Sequence, residues 1–267
     1  MNAMFSIFAA MTLALVAAVA SPWLPVEPKT TDGSYDVKAW KLDWPGCKFE
    51  DGVKEGRLSI VQQGKELWWR VAYAAGQIGP AKGGAGWRWP FSTSAKQSVE
   101  LRYRLLFEDG FEFVKGGKLP GLCGGPKTIT GGEPCSGFDG WSVRLMWRKD
   151  GRGQAYVYHP NMKSEYGDEF DFPDDFRFPT GSPVEIRIAI EVNSIGKRDG
   201  SLYVWVTLPG QAERLVVEQA ELEWTKDASI GVDSILFNTF FGGSNDSWAP
   251  STPCAARFGK IEYCVKK

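Results

Sequence analysis

Short runs in which apolar and polar residues alternate, punctuated by Asp-Gly turns, constrain this chain more than any other feature. Arg57 to Val61, Leu67 to Tyr73, Val99 to Phe107, Trp141 to Arg148, Gln154 to Tyr158, Val184 to Val192 and Ser201 to Val206 are rich in β-branched and aromatic residues. A period of two sends successive side chains to opposite faces, so these runs read as strands, half-buried where the alternation is clean. Glu108-Asp-Gly, Lys149-Asp-Gly and Arg198-Asp-Gly each carry the dipeptide that tight hairpins favour. Only Gln219 to Trp224 and the N-terminal segment offer any helical pattern. Many strands joined by short turns predict an all-β fold, a jelly-roll β-sandwich with a concave groove.

Residues 1–20 contain no charged side chain and end in Ala18-Val19-Ala20, small residues of the kind a signal peptidase reads. The apolar stretch is short for a membrane anchor, and Pro22 and Pro25 follow it closely. The expectation is a signal peptide over 1–20, a single domain over 21–267, and secretion. Nothing in the interior reads as a linker, repeat or like-charge block. Lys and Arg total 31 against 32 Asp and Glu, a net charge of −1, which argues against a general nucleic-acid binder. A monomer with no membrane partner after cleavage is expected.

All five cysteines lie beyond residue 20. In an oxidising compartment Cys123 and Cys135 are expected to close a Gly-rich loop, and Cys47 to pair with Cys254 or Cys264. There is no Cys-x-x-Cys pair, and His159 is the single histidine, so neither a zinc site nor another metal or organic cofactor is expected.

The chemistry concentrates between Phe111 and Pro160. Lys115-Gly-Gly-Lys118 places two lysines in a backbone that glycine allows to approach its neighbours closely. Ser142 and Arg144 stand two apart on one strand, and Tyr156 and Tyr158 two apart on the next. If Lys149-Asp-Gly turns between them, the two pairs share one face. His159 follows Tyr158, so strand alternation turns it to the opposite face, although its pKa would suit a base.

Phe113-Val-Lys-Gly-Gly-Lys-Leu-Pro-Gly-Leu-Cys-Gly-Gly, Trp141-Ser-Val-Arg-Leu-Met-Trp-Arg and Ala155-Tyr-Val-Tyr-His-Pro resemble, in that order, polysaccharide lyase family 14. Asp199-Gly-Ser-Leu-Tyr-Val-Trp-Val and Phe237-Asn-Thr-Phe-Phe-Gly-Gly-Ser extend the likeness over roughly residues 100–265. The resemblance implies a β-jelly roll that cleaves a 1,4-linked polyuronate, alginate or glucuronan, by β-elimination. It also implies a catalytic set of Lys118 or Lys115, Ser142, Arg144, Tyr156 and Tyr158; beside that set, Trp147, His159 and Asn238 are candidate substrate contacts. Arg144 suits the C6 carboxylate because a guanidinium grips it in two places. The tyrosines would act as base and acid once their pKa values fall from about 10. A lysine would share the carboxylate or lower a tyrosine's pKa, and Ser142 would hold the sugar or orient a tyrosine. One segment departs from the family: Tyr166-Gly-Asp-Glu-Phe-Asp-Phe-Pro-Asp-Asp carries five carboxylates that would repel a polyuronate if they faced it.

Two other classes fit parts of the chain. Glu169, Asp171 and Asp174 approximate the carboxylate strand of concanavalin-like β-glucan hydrolases, although Pro173 interrupts it; an exposed acidic loop or a weak Ca²⁺ site would look the same. A non-catalytic carbohydrate-binding jelly roll would use tryptophans such as Trp68, Trp69, Trp87, Trp89, Trp147 and Trp248.

Overall fold

The computed structural model describes residues 21–31, 33–47 and 49–266, so the expected signal peptide lies outside the described residues. The strands are β1 (Leu24–Val26), β2 (Gly33–Ser34), β3 (Leu58–Gln63), β4 (Glu66–Tyr73), β5 (Gly84–Pro90), β6 (Ser98–Phe107), β7 (Gly116–Gly124) and β8 (Trp141–Arg148). They continue with β9 (Gly153–Tyr158), β10 (Asp168–Asp171), β11 (Val184–Glu191), β12 (Gly200–Thr207), β13 (Arg214–Leu222), β14 (Ser234–Phe241) and β15 (Cys254–Val265). Helices are confined to α1 (Val37–Asp43), α2 (Pro80–Gly83) and two single 3₁₀ turns among the described residues. Asp36 caps α1 by accepting the Ala39 N–H at 2.8 Å, and the helix buries Trp40.

Two antiparallel sheets form a jelly-roll sandwich. One runs β13-β12-β11-β6-β15-β4-β3-β2, with β1 added beside β15; the other runs β10-β9-β8-β7-β14-β5. Alternation explains which face each strand buries. Val99, Leu101, Tyr103 and Leu105 of β6 and Val184, Ile186, Ile188 and Ile190 of β11 point inward, whereas Glu185 and Glu191 are exposed. Aromatic rings join the layers: Phe258 of β15 meets Phe237 of β14 at 5.2 Å, and Phe237 stacks on Trp87 of β5 at 4.2 Å.

Several expectations need correction. Gln219 to Trp224 is not helical: it overlaps edge strand β13, whose pairing with β12 overrides a weak local pattern. Glu108-Asp-Gly turns the chain from β6 in one sheet toward β7 in the other and closes no hairpin, whereas the other two Asp-Gly turns join paired strands. All five cysteines are free thiols. Cys135 donates to the Gly140 carbonyl at 3.1 Å and Cys47 to the Arg88 carbonyl at 3.1 Å, and Cys123 is buried in the ladder. Burial pushes the thiol pKa values of Cys47, Cys123, Cys135 and Cys254 up to about 12.

Candidate active site

The outer face of the six-stranded sheet carries the groove, and strand register assembles its floor. Phe240, Lys118, Met146, Gln154 and Asp171 form one row across β14, β7, β8, β9 and β10. Arg144, Tyr156 and Glu169 form the next row, and Ser142 with Tyr158 the third. Directly opposed side chains lie close enough to touch, so three short rows concentrate the polar set. The Lys149–Gly151 turn makes this possible: Asp150 adopts φ 59°, and β8 returns as β9 in register.

The glycines of β7 let the layers close. A Cβ on Gly117 would lie 2.1 Å from Cζ2 of Trp147, so only glycine fits there while that indole fills the core. Trp147 is thus a core residue. It is fully buried among Tyr73, Phe107, Phe111 and Phe241, and its expected sugar contact is withdrawn.

Lys118, Arg144, Tyr156, Tyr158 and Asn238 line one cavity of about 770 Å³. The two tyrosine hydroxyls stand 3.3 Å apart. Lys118 Nζ lies 3.3 Å from the centre of the Tyr156 ring and 2.9 Å from Met146 Sδ. Burial beside the Arg144 and Arg148 guanidiniums drives the Lys118 ammonium well below the usual lysine range, against a smaller opposing pull from Glu169. Arg144 is 3% exposed, its Nη1 donates to Asn238 Oδ1 at 3.4 Å, and its Nε has no partner. Among the described residues no carboxylate forms an ion pair with it.

The pKa of Tyr156 does not move as expected. Burial, and then the bond to Tyr158, raises it above the ordinary phenol range. Of the neighbouring cations only the Arg144 guanidinium pulls it down, and burial outweighs that pull. Tyr158 accepts the Gly132 N–H at 3.1 Å. Ser142 is fully buried and donates to the Ile129 carbonyl at 2.6 Å, so it pins the loop that reaches Tyr158.

Other candidates fall elsewhere. Lys115 is exposed, donates to Ser247 Oγ at 2.7 Å and lines a neighbouring cavity, leaving Lys118 as the lysine beside the tyrosines. His159 is 3% exposed, bonds Asp168 at 2.9 Å and does not line the groove, and burial lowers its pKa. The acidic segment divides: Asp168 holds His159, Asp175 pairs with Arg214, and the exposed Asp174 reaches Arg152. Glu169 and Asp171 both accept from Gln154 Nε2, at 3.1 and 2.7 Å. The three carboxylates offered for hydrolysis thus form no pair across a cleft. Of the tryptophans offered as platforms, Trp68, Trp69 and Trp87 are buried and Trp89 packs on Phe91 and Tyr263; Trp248 lines the groove. The motif reading missed Met146 and Arg148, two and four residues beyond Arg144 and therefore on its face.

The jelly roll thus presents a lysine, an arginine and two phenols on one open sheet face. The family model for polysaccharide lyase 14 matches residues 61–261, and the chain belongs to that family. No curated protein matches the sequence. Among solved structures, the PL-14 alginate lyase from Aplysia kurodai is 27% identical, with a TM-score of 0.81 over 93% of this chain and 100% of that one. The alginate lyase vAL-1 from Chlorella virus is 21% identical, with a TM-score of 0.69 over 88% and 99% of the respective chains. An endo-β-1,4-glucuronan lyase from Trichoderma reesei is 12% identical, with a TM-score of 0.55 over 89% and 95%. The protein is a polysaccharide lyase, and the hydrolase and pure binding-module readings fall away.

Proposed function

We propose that this lyase cleaves a 1,4-linked polyuronate by β-elimination, with alginate its first substrate, and that it acts outside the cell. One observation carries the reading. Arg144 is a buried guanidinium in the groove with no carboxylate partner among the described residues, an expensive arrangement unless the substrate brings the missing charge. The C6 carboxylate of a uronate supplies it, and Asn238 holds the guanidinium for a two-point grip. The likeness to the Aplysia kurodai alginate lyase supports testing alginate ahead of glucuronan. The uncharged leader over 1–20 supports export.

Elimination needs the C6 carboxylate neutralised, the C5 proton removed and O4 protonated. Arg144 neutralises, which stabilises the negative charge that develops as the C5 proton leaves. Lys118 is the base: its environment favours the neutral amine, the form with a lone pair to accept that proton. Tyr156 is the acid, because its raised pKa keeps a proton on the phenol to hand to O4. Tyr158 bonds Tyr156 and orients it, while Ser142 steadies the loop behind Tyr158. The carbon–oxygen bond to O4 breaks as the 4,5 double bond forms.

The test is ultraviolet absorbance of purified protein with alginate and, in parallel, with glucuronan. The new conjugated double bond should absorb with alginate and more weakly with glucuronan. Flat traces on both polymers would overturn the substrate class.

A further inference from the structure

A second cavity, of about 410 Å³, adjoins the groove and shares Arg148, Glu169 and Trp248 with it. Four cations line it: Lys115, Arg148, Lys149 and Arg152. Two have carboxylate partners, since Arg148 reaches Glu169 at 3.9 Å and Arg152 reaches Asp174 at 3.5 Å. Lys115 and Lys149 form no ion pair among the described residues. Against the four stand Glu169 and Asp171, both tied to Gln154, so positive charge remains in excess.

The wall between the cavities is a prepared surface. Trp248 is half-buried, and its indole lies against Gly243, where a Cβ would fall 2.1 Å from the ring's Cγ. Lys115 and Arg148 flank the ring at 5.9 and 5.7 Å. The segment carrying it is pinned at both ends. Lys115 bonds Ser247, and the Glu112 carboxylate accepts from the backbone and hydroxyls of Ser251 and Thr252, which holds its pKa down to about 2. A fixed indole beside unpaired ammonium groups suits a sugar ring that bears a carboxylate.

Resting on the polyuronate reading, we propose that this cavity is a second saccharide subsite. It takes a uronate farther along the same chain than the one held by Arg144, stacks its ring on Trp248 and pairs its carboxylate with Lys115 and Lys149. Lys115, the motif's alternative catalytic lysine, then serves binding and not proton transfer. Occupation of both cavities by one chain makes the enzyme favour long polymer over short products.

The test compares kcat/KM over a length series from di- to hexasaccharide and polymer. In the unaltered protein, kcat/KM should step up about tenfold at the length that first fills the second cavity, as one added charge-assisted contact would give. Lys115→Ala combined with Lys149→Ala should shrink that step to about twofold, with the change in KM, and the remaining step should be insensitive to salt. Trp248→Ala should reduce the same step, with circular dichroism showing the fold retained. An undiminished step in both variants, or a loss equal at every length, would overturn the subsite. Absence of unsaturated product from the unaltered protein would instead overturn the reading beneath it. In that case, titration of the Lys118→Met protein with polyuronate, with and without Lys115→Ala, still tests the cavity: equal affinities would refute it.

Discussion

The Lys118 amine sits 3.3 Å above the centre of the Tyr156 ring, with the Met146 thioether as its other neighbour at 2.9 Å. Both are soft acceptors that satisfy N–H groups without stabilising a full ammonium charge as a carboxylate would. Two guanidiniums nearby reinforce the neutral form. A lysine base works only when deprotonated, so kcat/KM should rise with pH through Lys118's lowered pKa and level off below the ordinary lysine range. Glu169 pulls that pKa upward, so Glu169→Gln should move the rising limb to lower pH while turnover persists. A pH–rate profile of both proteins checks this, and loss of all activity in Glu169→Gln would contradict it.

Lys118 should also weaken the fold it serves. Its folded pKa lies below its unfolded one, so the unfolded chain binds the proton more readily. The destabilisation is full below the folded pKa and fades as pH rises toward the ordinary lysine value. Lys118→Met should therefore raise stability at neutral and acid pH by about 1 kcal/mol, with the gain shrinking in alkali. Turnover should fall by about 10³ in the same variant. Urea melts at several pH values, together with activity, measure both.

Arg144→Lys keeps the charge but loses the planar two-point grip and the reach to Asn238. We expect kcat to fall by about 10²–10³, as removal of a transition-state donor does elsewhere. Steady-state kinetics on alginate would show it, and a change confined to KM would mean that Arg144 only binds.

Ser142→Ala leaves the Ile129 carbonyl without its buried donor and frees the loop that supplies the Gly132 N–H to Tyr158. The expected cost is about 1–3 kcal/mol in stability. Because the serine is fully buried and its hydroxyl is engaged by the loop, kcat should fall more than KM rises. A dominant rise in KM would return Ser142 to sugar binding.

The period of two made much of this site readable. Ser142 with Arg144, and Tyr156 with Tyr158, stand two apart on strands joined by one turn, and the fold brings all four to one side of the sheet. The same parity puts Trp147 and His159 on the other side, one step out of phase, and both proposed contacts failed for that reason. Lys115 and Lys118 could not be separated so simply. The strand begins at Gly116 and carries a register shift near Pro120, neither visible in a Gly-rich run. The pKa directions of Lys118 and Tyr156 depend on burial between neighbouring strands, which no local motif contains. The cysteine pairings were inferred from compartment and loop composition, and thiols engaged by Arg88 and Gly140 carbonyls answer to neither.

The core role of Trp147 predicts coupling with Gly117. Trp147→Phe should cost about 1–3 kcal/mol, since a smaller ring leaves a partial cavity among Tyr73, Phe107, Phe111 and Phe241. Gly117→Ala alone should cost more, because its new methyl would meet Cζ2 of Trp147 at 2.1 Å and the Phe240 carbonyl oxygen at 2.4 Å. In the double variant the shortened ring vacates the first position while the carbonyl still resists. The combined loss should therefore be smaller than the sum of the two by about 0.5–2 kcal/mol, a coupling expected only of residues in contact. Denaturant melts of the four proteins give that cycle. Strict additivity would separate the two residues, and a rise in KM for Trp147→Phe without loss of stability would restore the indole to the substrate.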